Sequence, residues 1–304
     1  MKILITGGAG FIGSHVAEIL AADNNEIIII DDLSTGKLEN IPASALFYEK
    51  NITDPSVEEV FEKIKPEIMI HLAAQVSVPS SVKNPLKDME INIKGTLRLL
   101  EASVKHGVKK VVFSSTGGAI YGEHDYFPAD EKHPLQPLSP YGISKLCAEK
   151  YLYSYYKTYG LPYTVLRYSN VYGPRQDPFG EAGVIAIFVK NILDNEQPVI
   201  NGTGEQTRDF VYVKDVARAN LLAVKSDLIG AVNISTGREI SINETFSILK
   251  KVTGSSLPVK YGPALPGEQL RSVLSYEKAK QIISWSPSFS LEKGLKETVD
   301  FFAV

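Results

Sequence analysis

Short apolar runs alternate with longer segments of helical period through the first half of the chain. This alternation predicts βαβ units and a parallel sheet. Lys2–Thr6 reads as a strand, 10–22 as a helix, Glu26–Asp31 as a strand and 55–64 as a helix. The pattern continues with a strand over 67–72, a helix over about 85–106, a strand over 109–114, a Tyr-rich helix over Pro140–Tyr159 and a strand over Tyr163–Tyr168. The expected fold is α/β, with a doubly wound parallel sheet. After Asn170 the texture changes: residues 173–183 form a long loop punctuated by Gly and Pro, and later elements alternate less regularly. A boundary is therefore expected near 170, with 1–169 (plus about 211–235) building the sheet domain and 170–210 plus 236–304 a smaller C-terminal α/β region. A second Gly/Pro-rich loop spans 257–267, Leu291–Phe302 reads as a closing helix, and no internal repeat is visible.

At 304 residues the chain can bury a sizeable core without disulfides. Its single cysteine, Cys147, has no intramolecular partner, which suits a reducing, cytoplasmic compartment. Thirty-two basic residues against 35 acidic ones supply no basic stripe for a phosphate backbone, so nucleic acid is not an expected partner. The longest purely aliphatic run, 27–30, falls far short of the roughly 20 residues of a membrane helix. The segment from Met1 to Gly7 passes straight from one lysine into a strand and a glycine, unlike a signal peptide.

Gly7, Gly10 and Gly13 form G-x-x-G-x-x-G between the first strand and the first helix. Glycines there let the backbone turn tightly and approach a pyrophosphate, while the helix N-terminus offers free N–H groups and partial positive charge. Asp31 closes the second strand 18 residues beyond Gly13, near the offset at which a carboxylate meets a ribose 2′-hydroxyl. A carboxylate there repels a 2′-phosphate, so the expected cofactor is NAD on a Rossmann-type fold. No metal is expected.

Tyr141 and Lys145, four apart at a helix start, share a face. A phenol with an ordinary pKa of ~10 must drop by ~3 units to act as a base near neutrality, and a nearby cation together with a positive nicotinamide would supply that. Tyr153 and Lys157 repeat the spacing in the same helix, so context has to decide between the two copies. Tyr141 follows Ser139-Pro140, and Ser114, Ser115 and Thr116 lie 25 to 27 residues upstream at the C-terminal end of a strand, where ligands of parallel sheets sit. Thr116 is the expected hydroxyl beside the reacting oxygen, with Ser115 in reserve.

Together these residues resemble the extended short-chain dehydrogenase/reductase superfamily, and within it the UDP-glucose 4-epimerase branch. The resemblance runs through Thr-Gly-Gly-Ala-Gly-Phe-Ile-Gly at 6–13, Asp-Asp-Leu-Ser-Thr-Gly at 31–36, His-Leu-Ala-Ala at 71–74, Asn92 with Gly95-Thr96, and Phe-Ser-Ser-Thr at 113–116. It continues with Ser-Pro-Tyr-Gly-Ile-Ser-Lys at 139–145, Arg-Tyr-Ser-Asn-Val-Tyr-Gly-Pro-Arg at 167–175 and Arg-Asp-Phe-Val-Tyr-Val at 208–213. It implies a tightly held NAD regenerated in each cycle. Tyr141 would take the sugar 4-hydroxyl proton as hydride leaves C4, and the 4-keto sugar would turn over and accept the hydride on its other face. For the cofactor it implies Phe11, Ile12, Asp31, Asp32, Leu33, Ser34, Thr35, Gly36, Asn51, Ile52, Leu72, Ala73, Ala74, Gln75, Asn92, Ser114, Tyr141, Lys145, Tyr168 and Val171, besides the three loop glycines. For the UDP-sugar it implies Ser77, Thr116, Tyr141, Asn170, Gly183, Val184, Val199, Ile200, Asn201, Arg208, Arg271 and Ser272. Arg208 also has a physical case, since a diphosphate wants a bidentate cation; the alternative is an ion pair with adjacent Asp209. A homodimer formed through the helices near 85–106 and 140–159 is implied as well.

The chain departs from the pattern in places. Asn51 replaces an adenine-binding acid, and its amide oxygen would still accept from the adenine amino group. Gly117-Gly118 adds a residue after Thr116, which a glycine bulge would absorb. Leu265 stands where a second diphosphate-binding arginine is usual, with Arg271 as the substitute. Ser272 is small where strict hexose epimerases are bulky, which would admit a 2-acetamido group. Sister dehydratases and decarboxylases need carboxylates after the threonine, where Gly117 and Gly118 have none. A uronate 4-epimerase and, in a different class, a non-catalytic NAD-binding protein remain as alternatives.

Overall fold

The computed structural model describes residues 1–179, 183–264 and 269–303. The chain begins with β1 (Lys2–Thr6), α1 (Phe11–Ala22), β2 (Glu26–Asp31), β3 (Leu46–Glu49), α2 (Val57–Ile64) and β4 (Ile68–His71). Short helices α3 (Val78–Lys83) and α4 (Pro85–Met89) lead through a π-helical stretch, Glu90–Gly95, into α5 (Thr96–Lys105). Then come β5 (Lys110–Thr116), the one-turn helix α6 (Gly117–Ile120), α7 (Pro140–Tyr159), β6 (Tyr163–Tyr168) and β7 (Asn170–Tyr172). The remainder is α8 (Val184–Leu193), β8 (Val199–Asn201), β9 (Thr207–Arg208), β10 (Phe210–Tyr212), α9 (Val213–Lys225), β11 (Gly230–Ile234), β12 (Ile240–Ser241), α10 (Ile242–Thr253), β13 (Lys260–Gly262), α11 (Glu277–Ile283) and α12 (Leu291–Phe302).

Ile27, Ile28, Ile29 and Ile30 are all buried, which a strand covered on both faces requires. β2 is one of seven strands in a single sheet, ordered β11-β6-β5-β4-β1-β2-β3, with every neighbour parallel. The chain runs outward from β1 to β3, then restarts at β4 on the other side of β1. That reversal opens a crevice at the C-terminal strand ends, where ligands of such sheets bind. One face packs Val16, Ala17 and Leu20 of α1 with Val216, Ala219 and Ala223 of α9, closed by Trp285. The other packs Phe61, Leu99, Leu100, Ala148 and Leu152. Burying each of the larger side chains contributes about 1.5–3 kcal/mol. A third core, with Phe188, Ile200, Phe246 and Leu295, lies under α8, α10 and α12 and the short sheets β13-β8 and β12-β9.

Two differences from the periodicity bear on the site. β5 runs on to Thr116, because its last residues pair with β6 in the register Ser115↔Arg167 and Thr116↔Tyr168. The expected helix over 85–106 is interrupted by the π-helical stretch. Among the described residues, no helix is long and apolar enough to cross a membrane.

Candidate active site

The glycines between β1 and α1 are set by close approach. A Cβ on Gly7, whose φ is +73°, would lie 2.6 Å from the Ala73 nitrogen, and one on Gly13 would lie 2.0 Å from the Gly7 carbonyl oxygen. Gly10 caps α1 without a side-chain bond, so the first-turn N–H groups of Phe11 and Ile12 point out of the helix end. Asp31, buried at the end of β2, accepts from the Ala9 N–H (3.0 Å) and the Leu33 N–H (2.9 Å). Burial nevertheless pushes its carboxyl up. Leu33 adopts φ +56°, a conformation unusual for a side chain of its size. Gly36 closes over the same carboxylate, with no room for a Cβ beside Asp31 and Ala9. Exposed Asp32 accepts from Ser34, and Thr35 is exposed beside it. A backbone cradle at a helix N-terminus with two carboxylates at its far side fits a dinucleotide with a free ribose diol.

Asn51 is engaged by its own neighbours. Its amide oxygen accepts from the Thr53 N–H and hydroxyl (2.9 and 2.8 Å), and its amide nitrogen donates to Asp32 (2.7 Å). This local turn chemistry uses up the group that the adenine reading needs free. Ile52 is buried against Gly95.

At the end of β4, Leu72 and Ala73 donate to the Thr6 carbonyl, tying 72–75 beside the glycine loop. His71 bridges Thr6 (2.7 Å at Nδ1) and Thr96 (2.9 Å at Nε2), while Thr96 gives its own proton to the Asn92 carbonyl (2.6 Å). Nε2 therefore carries the hydrogen and Nδ1 accepts from Thr6. Burial holds this ring neutral, with its pKa lowered to about 3. Asn92 is only 3% exposed, so it is no helix-surface amide. Its oxygen accepts from the Gln75 N–H (2.9 Å), and its nitrogen donates to the Gln75 carbonyl, Asp88 and Ser144. With every amide atom engaged by protein, Asn92 braces the 72–75 loop from behind rather than facing a ligand. Asp88 also accepts from the Gln75 side chain, and Ser77 caps α3. Ala74 lies in the braced segment.

Ser139 caps α7 by accepting from Gly142, with Pro140 in the first turn. Tyr141 and Lys145 face β5 from this helix start. The Lys145 ammonium donates to the Ser114 carbonyl (3.0 Å) and lies 6.0 Å from the Tyr141 ring centre. Thr116 makes no cap bond to α6, and its hydroxyl lies close enough to the Tyr141 phenol to favour the phenolate. Ser115 points to the opposite face of β5, buried, and donates to Glu149 (2.6 Å). The reserve reading for Ser115 is thereby corrected: once β5 extends to Thr116, strand alternation puts Ser114 and Thr116 on one face and Ser115 on the other. Gly117 and Gly118 begin α6 instead of bulging, and a Cβ on Gly118 would meet nothing nearer than Thr116 Oγ1 at 3.9 Å. The second copy is at the surface, with Lys157 over the rings of Tyr153 and Tyr156.

One electrostatic expectation is also revised. Burial first, then the Asp88 charge, pushes the Tyr141 phenol above its ordinary value, and only the nearby Thr116 hydroxyl opposes this. Burial likewise lowers the Lys145 ammonium to about 8, against the opposing pull of Asp88 and Glu149. Burial thus holds both groups toward their neutral forms, and the Lys145 ammonium donates to the Ser114 carbonyl. Tyr168 is buried beside Ser114, accepting from Asn220 (2.9 Å), with Val171 just beyond it.

The C-terminal candidates sit around this edge. Asn170 Oδ1 is sealed from solvent with no partner among the described residues. Gly183 caps α8 without a side-chain bond, and the Gln176 side chain packs against it with no room for a Cβ. Val199 is exposed and Asn201 half-buried, but Ile200 is 1% exposed inside the third core, so only its backbone can face a ligand. Asp209 turns inward and accepts from Ser169, Thr236, Gly237 and Leu274. Arg208 is half-buried and donates to the Thr207 carbonyl (2.8 Å). Arg271 forms a two-pronged ion pair with Glu239 and lies 3.9 Å over the Phe127 ring. Ser272 is buried next to it. Leu265 lies outside the described residues.

Comparison with known proteins agrees with this geometry. The model of a family described as the NAD dependent epimerase/dehydratase family matches residues 3–235. The chain is similar to the solved UDP-glucose 4-epimerase of Thermotoga maritima with UDP-glucose, at 52% identity and TM-score 0.98, covering 99% of this chain and 98% of that one. A UDP-glucose 4-epimerase of Thermus thermophilus in complex with NAD is 44% identical, TM-score 0.95, with 99% of each chain covered. A UDP-N-acetylglucosamine 4-epimerase of Methanobrevibacter ruminantium in complex with UDP-N-acetylmuramic acid is 40% identical, TM-score 0.94, covering 99% of this chain and 97% of that one. With a match through the sheet, the glycine cradle and the Tyr141 helix, this chain belongs to the NAD dependent epimerase/dehydratase family.

Proposed function

We propose that this protein is an NAD-dependent isomerase that inverts C4 of a UDP-hexose, interconverting UDP-glucose and UDP-galactose. The observation that carries the reading is that Thr116, at the C-terminal end of β5, lies beside Tyr141 at the start of α7, with Lys145 bonded to the Ser114 carbonyl and no side chain on the two residues after Thr116. Held in this cradle, NAD would supply reversible hydride transfer at C4. The chain's own residues do the rest. Tyr141 moves the proton of the sugar hydroxyl, and Thr116 holds that oxygen and the phenol in line. Lys145 fixes the end of β5 through the Ser114 carbonyl and adds positive charge. Gly7, Gly10, Gly13, Asp31 and the 72–75 loop hold the cofactor, and Asp31 with Asp32 disfavours a 2′-phosphate. Asn170, the start of α8 at Gly183 and Val184, and Arg208 would receive the UDP. An elimination or decarboxylation lacks its acid and base, because Gly117 and Gly118 stand where those groups would be. Small Ser272 extends the substrates to UDP-N-acetylhexosamines, in keeping with the Methanobrevibacter relative.

The test is conversion of UDP-galactose and, separately, UDP-N-acetylgalactosamine by the purified protein without added NAD. Turnover is expected with both, and Tyr141→Phe should keep its bound NAD while losing about 10²–10⁴-fold in rate. A Tyr141→Phe protein that turns over normally would refute the assignment. We also place a homodimer contact on α4 and α7, where Leu86 and Ile143 are exposed, and the enzyme in the cytoplasm; the mass in solution checks the dimer.

A further inference from the structure

Behind the catalytic edge lies a buried ion pair that the reaction does not use. Arg167 of β6 grips Glu149 of α7 with two bonds, Nε to Oε1 at 3.0 Å and Nη2 to Oε2 at 2.6 Å. Its remaining nitrogen, Nη1, donates to the Tyr121 hydroxyl (2.9 Å), which donates in turn to Asn233 (2.7 Å). Glu149 Oε1 also accepts from Ser115 (2.6 Å). The side chains of the pair are 6% and 8% exposed, so the charges are desolvated, and every carboxylate oxygen and guanidinium nitrogen has a partner.

Two of the partners bracket Thr116 in the sequence. Ser115 precedes it, and Tyr121 follows the one-turn helix that begins at Gly117. The segment between them holds two glycines, which give it little stiffness of its own. Glu149 lies eight residues after Tyr141 and four after Lys145 on one continuous helix, so it shares the rigid body that carries the base. We propose that Glu149 and Arg167 are positioning residues for the epimerisation: by clamping Ser115 and Tyr121 to α7 and β6, they hold the Thr116 hydroxyl in register with Tyr141. This rests on the reading of Thr116, Tyr141 and Lys145 given above.

A buried ion pair is a poor source of stability, since well-packed apolar residues of similar volume are often as stable or more so. Its value here is geometric, and misplacing a reacting group by about 1 Å costs on the order of 100-fold in rate. Glu149 has a second effect. Its charge favours the Lys145 ammonium, so removing it shifts loss of that ammonium to lower pH.

The experiment compares wild type, Ser115→Ala and the double substitution Glu149→Met/Arg167→Met for bound NAD, melting temperature, kcat, KM and the pH profile of kcat. The double variant should keep its NAD and its melting temperature, hold KM within about twofold, lose about 10–100-fold in kcat and move its alkaline limb to lower pH. Ser115→Ala, which removes one bond and no charge, should lose several-fold in kcat at unchanged KM. Wild-type kcat and pH profile in the double variant overturn the proposal. If the double variant does not fold, an unchanged kcat in Ser115→Ala overturns it. Absence of turnover in the wild type instead overturns the functional reading beneath it.

Discussion

Adding one methyl group to the glycine cradle gives a prediction whose size can be worked from the backbone. In Gly13→Ala the new Cβ would sit 2.0 Å from the Gly7 carbonyl oxygen and 2.9 Å from the Gly8 Cα. Both obstacles are main chain, so no flexible side chain can yield, and the loop must lift from α1 by about 1 Å to restore van der Waals contact. Forcing extra volume into such a contact costs about 1–3 kcal/mol and should lower the melting temperature by several degrees. The larger effect falls on the cofactor. Hydrogen bonds from neutral donors to a charged group contribute about 1.5–3 kcal/mol each, so displacing one should weaken NAD binding by about 10- to 100-fold and displacing two by correspondingly more. Gly10→Ala is the control: its Cβ would stand 3.3 Å from the same oxygen, a conflict of a few tenths of an ångström. The assay releases bound NAD by acid or heat from each purified variant, quantifies it enzymatically and records thermal melts. Gly13→Ala should carry little NAD and melt early, with Gly10→Ala between it and wild type. Full NAD content and an unchanged melt in Gly13→Ala would refute the reasoning.

Two further outcomes follow from the site. Because burial lowers the Lys145 ammonium to about 8, its charge is present below that pH and lost above it; kcat should fall up to tenfold per unit above about pH 8, and a rate flat to pH 9.5 would exclude a role for the charge. Asn170→Ala removes an acceptor that is sealed from solvent without a partner among the described residues, so it should leave thermal stability unchanged or raise it. The same change should raise KM for the UDP-sugar about tenfold if that oxygen is kept for substrate; unchanged KM counts against it.

How much of this was legible in the sequence depended on how local the cause was. Most strands and helices of the first 168 residues, the capped start of α7 and the Gly7–Gly13–Asp31 spacing could be read, because each rests on period, turn residues or a short offset; the edge strand β3 could not, since its four residues are half-exposed and form no buried run. Asn51 was misread although its cause is local: a short amide followed two residues later by threonine favours its own turn over a ligand. Ser115 could not be told from Thr116 until the last pairs of β5 with β6 were known, since a strand ending at Ser114 leaves the next residues without alternation. The bracing of Gln75 by Asn92, Asp88 and Ser144 joins residues up to 52 positions apart in the chain. Nothing in composition or spacing announces such contacts. The Glu149–Arg167 pair was hidden for the same reason: a charged residue every few positions of a helix ordinarily marks its solvated face.

The π-helical stretch between α4 and α5 acts as a correction of phase. Asp88 and Thr96 both work at the end of β4, one through the Gln75 side chain and the other through His71, yet they are eight residues apart. At about 100° per residue an α-helix would turn about 800° over that interval, leaving Thr96 about 80° out of line with Asp88. The wider winding of Glu90–Gly95 turns less per residue and absorbs the excess, so both side chains meet the same strand edge. A one-residue deletion there would give a more regular helix and swing Asn92 or Thr96 away from its partner. The segment is therefore as sensitive to length as to the identity of Asn92 and Gly95.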